Sequence, residues 1–203
     1  KDVVSGDFYI ADYITTNDNR RLATFIVGDC TGHGIPGAVL SLMCNVLIRE
    51  SFTRDELNSP GEALDFVRER LSKFFEADSK VRIRDGMDVA FCVLNPEKNK
   101  LRFSGGYNSC VIIRGEKLIE YKVDKQHVGY TDNPISFKNH AIDVEKGDMI
   151  FLYTDGFMDQ FGGADTRKYT KKRLHKAIMN LKEFPMEVIG SALDDEFLNW
   201  KMG

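Results

Sequence analysis

The segment IVGDCTGHGIPGAVL, residues 26–40, decides how the first part of the chain is interpreted. It begins at the end of an apolar, β-branched run, residues 22–27, that is typical of a buried strand, whereas residues 35–43 have the apolar spacing of a helix. Asp29 is therefore predicted to lie where a strand stops, in a glycine-rich turn. A carboxylate in that position either caps the following helix or faces a ligand in the cleft above the sheet.

The composition is that of a soluble globular protein. Of the 203 residues, 42% are hydrophobic and 29% are charged, and the formal net charge of −3 provides no general attraction to nucleic acid or anionic lipid. No apolar run approaches the ~20 residues that span a bilayer, and the N-terminal residues lack the features of a signal peptide. We therefore expect a cytoplasmic protein with no nucleic-acid partner and no membrane segment in this part of the chain.

The four cysteines are far apart in the sequence: Cys30, Cys44, Cys92 and Cys110. No two of them form a CxxC pair, and all but Cys30 lie inside apolar runs. This pattern predicts reduced cysteines in or near the core, and it argues against a thiol-based site.

The apolar pattern changes period along the chain. Alternation predicts strands at residues 8–14 and 22–27, and helical spacing then predicts helices at residues 35–49 and 62–75. Six further strands are predicted at residues 89–94, 101–104, 110–114, 118–123, 141–144 and 149–153, followed by helices at residues 171–181 and 186–200. This order predicts an α+β fold in which helices cover one sheet-rich core, and residues 1–203 are expected to form a single domain.

Three aspartates share a local setting at strand ends, beside glycine or another small residue. They are Asp7 in SGDFY, Asp29 in VGDCTGHG and Asp155 in LYTDGF. If the fold brings them together, two carboxylates ~4 Å apart repel by roughly 4 kcal/mol at an effective dielectric near 20, and a divalent cation would offset that repulsion. An all-oxygen ligand set suits Mg²⁺ or Mn²⁺ better than Zn²⁺. The alternative is that each aspartate only caps a turn.

Four strings carry a resemblance to a known family. In chain order they are VSGDFY, VGDCTGHGIPGAVLSLM, GGYNSCVIIR and GDMIFLYTDGFMDQFGG, and together they resemble the SpoIIE-like branch of the metal-dependent PPM protein serine/threonine phosphatases. The resemblance covers nearly the whole chain. It implies a four-layer α-β-β-α sandwich of two antiparallel sheets flanked by helices. It also implies a centre for two Mn²⁺ or Mg²⁺ ions in the cleft between the sheets.

The resemblance assigns roles to individual residues at that centre. Asp7, Asp29 and Asp155 match metal-binding carboxylates, which makes them catalytic through the ions that they hold. Cys30 matches the residue that contributes its main-chain carbonyl to the metal, a role that any side chain tolerates. His33, between two glycines, is implied to be either a proton donor or a structural element.

The function implied by the resemblance is hydrolysis of phosphoserine or phosphothreonine in a protein substrate by metal-activated water, in bacterial signalling. The family's usual substrates are anti-sigma-factor antagonists. An upstream sensor or regulatory domain is expected to act through the tandem helices, and a homodimer is compatible with this expectation. Two alternatives stay open: a catalytically incomplete phosphatase-like binding or regulatory module, and a metal-dependent hydrolase of small phosphoesters.

The chain departs from the family pattern at both ends. Members normally have a further strand before SGDFY, and a C-terminal strand with another metal-binding aspartate. Asp194 and Asp195 form an Asp-Asp pair, but they fall on the predicted helix at residues 186–200, where they are expected to be a solvated face. We therefore expect a domain that is truncated at one or both ends.

Other polar residues are less specific signals. Asp85 and Asp88 are interpreted as turn or capping residues, and Asn108 is expected to hold a hairpin. Asp159 has two open interpretations, support of the metal centre or a surface position. The basic cluster at residues 171–173 is interpreted as a solvated helix start, with substrate docking as the alternative.

Overall fold

The structure, a computed structural model, describes residues 5–16, 19–53, 59–76 and 85–202. Its helices are α1 (Gly34–Phe52), α2 (Pro60–Glu76), α3 (Lys171–Leu181) and α4 (Met186–Met202). Its strands are β1 (Asp7–Thr15), β2 (Arg21–Cys30), β3 (Gly86–Asn95), β4 (Lys100–Gly106), β5 (Cys110–Arg114), β6 (Lys117–Tyr121), β7 (Val128–Gly129), β8 (His140–Asp143), β9 (Met149–Leu152), β10 (Phe161–Gly162) and β11 (Arg167–Lys168). The predicted elements are all found with small shifts at their ends, whereas β7, β10 and β11 were not predicted.

The larger sheet separates two layers of core. It is antiparallel in the order β1-β2-β3-β4-β8, with β7 beside β3. Because side chains alternate along a strand, Val89 and Phe91 of β3 pack against α1 and α2, whereas Ala90 and Cys92 pack against the second sheet. The sheet is therefore buried on both faces along its central strand.

The second sheet repeats this arrangement with the order β6-β5-β9, also antiparallel. Cys110 and Ile112 of β5 face the first sheet, and Val111 and Ile113 face α3 and α4. The layers are thus α1 and α2, the first sheet, the second sheet, and α3 and α4. The α+β fold and its four-layer α-β-β-α architecture are confirmed.

Helix α1 has apolar side chains on its exposed side as well as on its buried side. Leu40, Cys44 and Ile48 are buried against the sheet, while Ile35 and Leu42 lie on the exposed side. Among the described residues it is the one helix whose length and composition would also suit a membrane span, in contrast to the expectation that no apolar run approaches that length. Its buried face shows that it belongs to the core of this domain.

All four cysteines are reduced and buried, as predicted. Cys92 on β3 and Cys110 on β5 meet between the two sheets, with their sulfur atoms 3.9 Å apart. Burial raises the pKa of the Cys92 thiol, so it stays protonated and acts as a small apolar side chain.

A tyrosine–histidine contact joins α3 to the end of β9, with Tyr153 Oη 2.6 Å from His175 Nε2. Burial lowers the pKa of His175 below its ordinary value of 6.5, so the neutral ring is favoured in the folded state. Because the unfolded chain then binds the proton more readily, the free energy of unfolding should fall as the pH drops below 6.5.

We expect the stability advantage of the wild type over His175→Gln to shrink, by less than about 1 kcal/mol, between pH 7.5 and 5.5. Urea denaturation of both proteins at the two pH values measures this difference. An advantage that grows at the lower pH would contradict the assignment of a neutral ring.

Candidate metal centre

Three aspartates form a row across the first sheet. Asp7 of β1 is paired with Asp29 of β2, and Asp29 is paired on its other side with Asp88 of β3. Directly opposed residues of antiparallel strands project to the same face, so the three carboxylates are neighbours. Asp29 lies inside β2 and not after it, because pairing with β3 continues through Cys30.

Asp155 reaches this row from the second sheet. It lies in the turn that follows β9, and its side chain is close enough to that of Asp29 to raise the pKa of the Asp29 carboxyl group. The fold therefore brings together Asp7, Asp29 and Asp155, although they are separated by 22 and then 126 residues in the sequence.

The electrostatics of Asp29 reflect this crowding. Burial raises the pKa of its carboxyl group, and the charges of Asp7, Asp155 and Asp88 raise it further, to about 6. These neighbouring carboxylates can raise the pKa of Asp29 only if their negative charges are not fully neutralised by other groups. The cluster is therefore suited to hold positive charge.

Asp88 and His127 are the residues of this site that sequence reasoning missed. Asp88 lies within β3, so its interpretation as a turn or capping residue is wrong; the register with β2 turns it towards Asp29. His127 Nδ1 lies 2.5 Å from Asp88 Oδ1, and the imidazole packs on Tyr107 with ring centroids 4.6 Å apart. Burial raises the pKa of Asp88, and the histidine opposes that effect.

Asp85 directly precedes β3, and its side chain contacts the loop after β2. Its Oδ1 accepts a hydrogen bond from Thr31 Oγ1 at 3.1 Å, and the Thr31 N–H donates to Gly86 O at 2.9 Å. These bonds tie the loop after β2 to the start of β3. They hold the backbone next to Asp29 in place.

The side chain and the backbone of Cys30 have different roles. Its buried thiol is hydrogen-bonded to Cys44, which raises the pKa of Cys30 above its ordinary value and keeps the sulfur protonated. The Cys30 N–H donates to Gly6 O at 3.2 Å, and a Cβ atom at Gly6 would lie only 2.4 Å from Cys30 O. The thiol is therefore a core group, and glycine at position 6 allows β1 to approach this carbonyl closely.

The glycines after Asp29 build the turn into α1. Gly32 and Gly34 have φ values of 88° and 64°, in the left-handed region that favours glycine. A Cβ atom at Gly37 would lie 2.7 Å from Gly32 O, so the first turn of α1 packs directly on the loop. His33 is exposed at the N-cap of α1 without capping the helix through its side chain, and its role as a proton donor stays a prediction.

The donor set of the cluster fits hard cations. Asp7, Asp29 and Asp155 offer carboxylate oxygens and Cys30 offers a carbonyl oxygen, which are the ligands that Mg²⁺ and Mn²⁺ prefer. Among residues 5–16, 19–53, 59–76 and 85–202, no group of three or more His, Cys, Asp or Glu side chains is arranged so that it could hold a metal ion. The four residues therefore supply suitable donor types without forming a complete ion site, and water molecules would have to supply the remaining ligands.

The remaining predicted residues lie around this centre or away from it. Asn108 is buried, and its N–H donates to Gly106 O at 2.7 Å in the turn after β4, in agreement with a hairpin role. Asp159 donates its N–H to Asp155 O at 2.8 Å and pairs with Lys168, so it supports the Asp155 turn. Asp194 and Asp195 are exposed on α4, as predicted.

Comparisons with known proteins identify the family and the fold of this chain. The family model for stage II sporulation protein E (SpoIIE) matches residues 19–201. No curated protein sequence gave a significant match.

Solved structures of bacterial phosphatase domains share the fold. The SiaA-PP2C domain of Pseudomonas aeruginosa is 24% identical with a TM-score of 0.84, and the match covers 98% of this chain and 76% of that one. The PP2C phosphatase domain of SpoIIE from Bacillus subtilis, solved with a fragment of its regulatory domain, is 16% identical with a TM-score of 0.71 over 97% of this chain and 54% of that one.

The RsbU and RsbW domains of a Mycobacterium tuberculosis protein match at 16% identity with a TM-score of 0.70, over 97% of this chain and 51% of that one. This chain therefore spans about half the length of the last two structures. Because the SpoIIE model covers most of the sequence, the chain belongs to the SpoIIE family, and its fold is that of the PP2C phosphatase domains.

Proposed function

We propose that this chain, acting as a single domain, hydrolyses phosphoserine or phosphothreonine esters of a protein substrate with two Mn²⁺ or Mg²⁺ ions. The observation that supports this most strongly is the convergence of Asp7, Asp29 and Asp155 from distant parts of the sequence. Their mutual repulsion makes the site attractive to cations, and cations in turn attract a phosphate dianion.

Each proposed ligand has a defined place in the fold. Asp7 and Asp29 would hold the ions from the first sheet, Asp155 from the second, and Cys30 through its carbonyl oxygen. When bound, the ions supply a water of lowered pKa and positive charge opposite the phosphoryl oxygens. The protonated thiol of Cys30 is not a nucleophile, which favours hydrolysis without a covalent enzyme intermediate.

The chain's own groups have two further tasks. Asp29 must lose its proton before it can hold a cation, and its raised pKa of about 6 places that loss below neutral pH. The leaving serine or threonine oxygen needs a proton, and His33 and His127 are the candidate donors next to the centre. His127 is the better oriented of the two, because Asp88 and Tyr107 hold its ring.

The biological setting proposed here is bacterial signalling in the cytoplasm. Among the structural relatives are RsbU and RsbW domains and a protein described with the bacterial stressosome, a modular signalling system. By analogy we propose a phosphorylated protein of the anti-sigma-factor antagonist type as the substrate.

We further propose that an upstream sensor or regulatory domain controls the site through α1. This helix begins five residues after Asp29, so a shift of α1 would move the loop that directly follows Cys30. Its outer face is apolar and exposed, with Ile35 78% and Leu42 66% accessible, and with α2 it forms a groove of about 570 Å³. A regulatory helix would cover these side chains, and a homodimer contact is the alternative that measurement of the mass in solution separates.

Phosphate release from a phosphoserine peptide tests the proposed activity. We expect turnover with Mn²⁺, loss of turnover with excess EDTA and recovery when Mn²⁺ is restored. ATP and p-nitrophenyl phosphate serve as small-ester comparisons. Hydrolysis of the small esters alone would favour a small-phosphoester hydrolase, and no turnover of any substrate with Mn²⁺ would favour the binding module.

A further inference from the structure

The most basic stretch of the chain lies outside the metal centre. Residues 167–176, RKYTKKRLHK, contain six Lys or Arg residues and no Asp or Glu, in a chain whose net charge is −3. The sequence alone predicts that part of this stretch is the solvent-exposed start of a helix. In the structure the stretch forms a wall of a concave surface.

This surface, which we call the basic groove, lies between β11, α3 and α4 and has a volume of about 560 Å³. Its charged walls are formed by Arg167, Lys168, Lys172, Arg173 and Lys176. Glu196 is the acidic residue among those that line it, and it accepts a hydrogen bond from Tyr169 Oη at 2.6 Å. Glu196 also pairs with Arg173, with 3.6 Å between Oε1 and Nε, so the positive charge left over in the groove comes from its lysines.

The groove is also partly rigid. The guanidinium of Arg173 lies 4.2 Å from the ring centroid of Trp200, whose Nε1 donates to Gln160 O at 3.1 Å. Arg167 is paired with Asp165 and Lys168 with Asp159. In the part of the chain that the structure describes, Lys172 and Lys176 are exposed and form no ion pair. These two lysines are the cations left for a ligand.

Backbone hydrogen bonds connect the groove to the turn that carries Asp155. The Thr170 N–H donates to Met158 O at 2.9 Å, and the Tyr169 N–H donates to Gln160 O at 2.9 Å. Within that turn the Asp159 N–H donates to Asp155 O at 2.8 Å. The groove is thus built onto the loop that shapes one side of the metal centre.

We propose that the basic groove docks an acidic segment of the phosphoprotein substrate while its phosphorylated residue occupies the metal centre. This rests on the proposed phosphatase function and adds a determinant of substrate choice to it. Charge complementarity carries the assignment to an acidic peptide. Nucleic acid is disfavoured because Tyr169 is buried and Arg173 covers Trp200, so these aromatic faces are not free to stack on bases.

Two synthetic peptides test the docking step. Both carry the same phosphoserine, followed in one by four glutamates and in the other by four glutamines. With Mn²⁺ we expect the wild type to have a kcat/KM about 10-fold higher for the glutamate peptide, a preference that falls as salt is added. In Lys172→Glu/Lys176→Glu the ratio of the two values should fall to about 1 or below.

A charge-matched control distinguishes docking in the basic groove from a general effect of the protein's net charge on the peptide preference. Lys98 and Lys146 are exposed in the turns after β3 and β8, and Lys98→Glu/Lys146→Glu changes the net charge by the same amount. This variant should keep the wild-type ratio. Equal loss of the preference in both double variants would overturn the proposal. Lys172→Ala/Lys176→Ala, with a smaller charge change, guards against misfolding and should lower the ratio in the same direction.

Binding without turnover distinguishes failure of the docking from failure of the proposed activity. Fluorescence anisotropy of a labelled, unphosphorylated glutamate peptide should show binding that Lys172→Glu/Lys176→Glu weakens about 10-fold. Binding with no hydrolysis of either peptide would leave the docking supported and the phosphatase function refuted. Hydrolysis of both peptides at equal rates would do the reverse. Tighter, groove-dependent binding of a single-stranded oligonucleotide or of phosphatidylserine vesicles would also overturn the proposal.

Discussion

Asp29→Asn is expected to lower Mn²⁺-dependent hydrolysis of a phosphoserine peptide by at least about 100-fold. The asparagine keeps the size of the side chain and removes the charge at the centre of the acidic row formed with Asp7 and Asp88. Initial rates of phosphate release at saturating Mn²⁺ measure the effect. A rate within a few-fold of wild type would contradict the role of Asp29.

The stability of the same variant is expected to change in the opposite direction from its activity. At pH 7.5 Asp29 of the metal-free protein is ionised in both the folded and the unfolded state, and because folding raises its pKa from the ordinary value of 3.8 to about 6, this charge destabilises the folded state. Asp29→Asn should therefore leave the melting temperature unchanged or raise it by a few degrees. A large drop would mean that any loss of activity reflects misfolding. Asp194→Asn, on the exposed face of α4, removes the same charge and should retain wild-type activity.

Gly6→Ala is expected to weaken Mn²⁺ binding by about 10-fold to 100-fold. The added Cβ atom would lie 2.4 Å from Cys30 O, so β1 or the carbonyl must shift, and Asp7 follows immediately in the chain. Titration of activity with Mn²⁺ measures the change in apparent affinity. We expect kcat at saturating Mn²⁺ to be affected less than the affinity.

The matched control for this substitution is Gly190→Ala. A Cβ atom at Gly190 meets nothing within 4 Å, and alanine in a helix is favoured over glycine by about 1 kcal/mol. Its Mn²⁺ affinity should equal that of the wild type. Equal affinity in Gly6→Ala would show that the approach of β1 to Cys30 does not shape the ion site.

Most of the fold was predictable because apolar residues recur with a clear strand or helix spacing in the elements that pack between two layers. Strand β5 matches its predicted range, and its alternate residues face opposite layers, which is the pattern on which a prediction of strands depends. The two-residue strands β7, β10 and β11 were missed because a period cannot be read from two residues. Strand β7 pairs with β3, which is distant in sequence, whereas β10 and β11 pair with each other in a short hairpin.

The candidate site was predictable only in part, for a similar reason. Asp7, Asp29 and Asp155 stand in short motifs beside glycine, and these motifs can be recognised in the sequence. Asp88 reaches the cluster through the register between β2 and β3, which no local motif specifies. His127 reaches it through a loop after β6, and a single histidine in a polar stretch carries no signal of its partner. The missing information was the strand register for Asp88 and the path of the loop before β7 for His127.

Anomalous diffraction from crystals soaked in Mn²⁺ tests the central claim most directly, because it locates the ions without requiring turnover. We expect two anomalous peaks in the cleft between the sheets, each about 2.0–2.6 Å from ligand oxygens, with Asp29 contacting at least one of them. Asp7, Asp155 and the Cys30 carbonyl should complete the protein ligands. Crystals that hold Mn²⁺ elsewhere but show no peak within coordination distance of Asp29 would contradict the account.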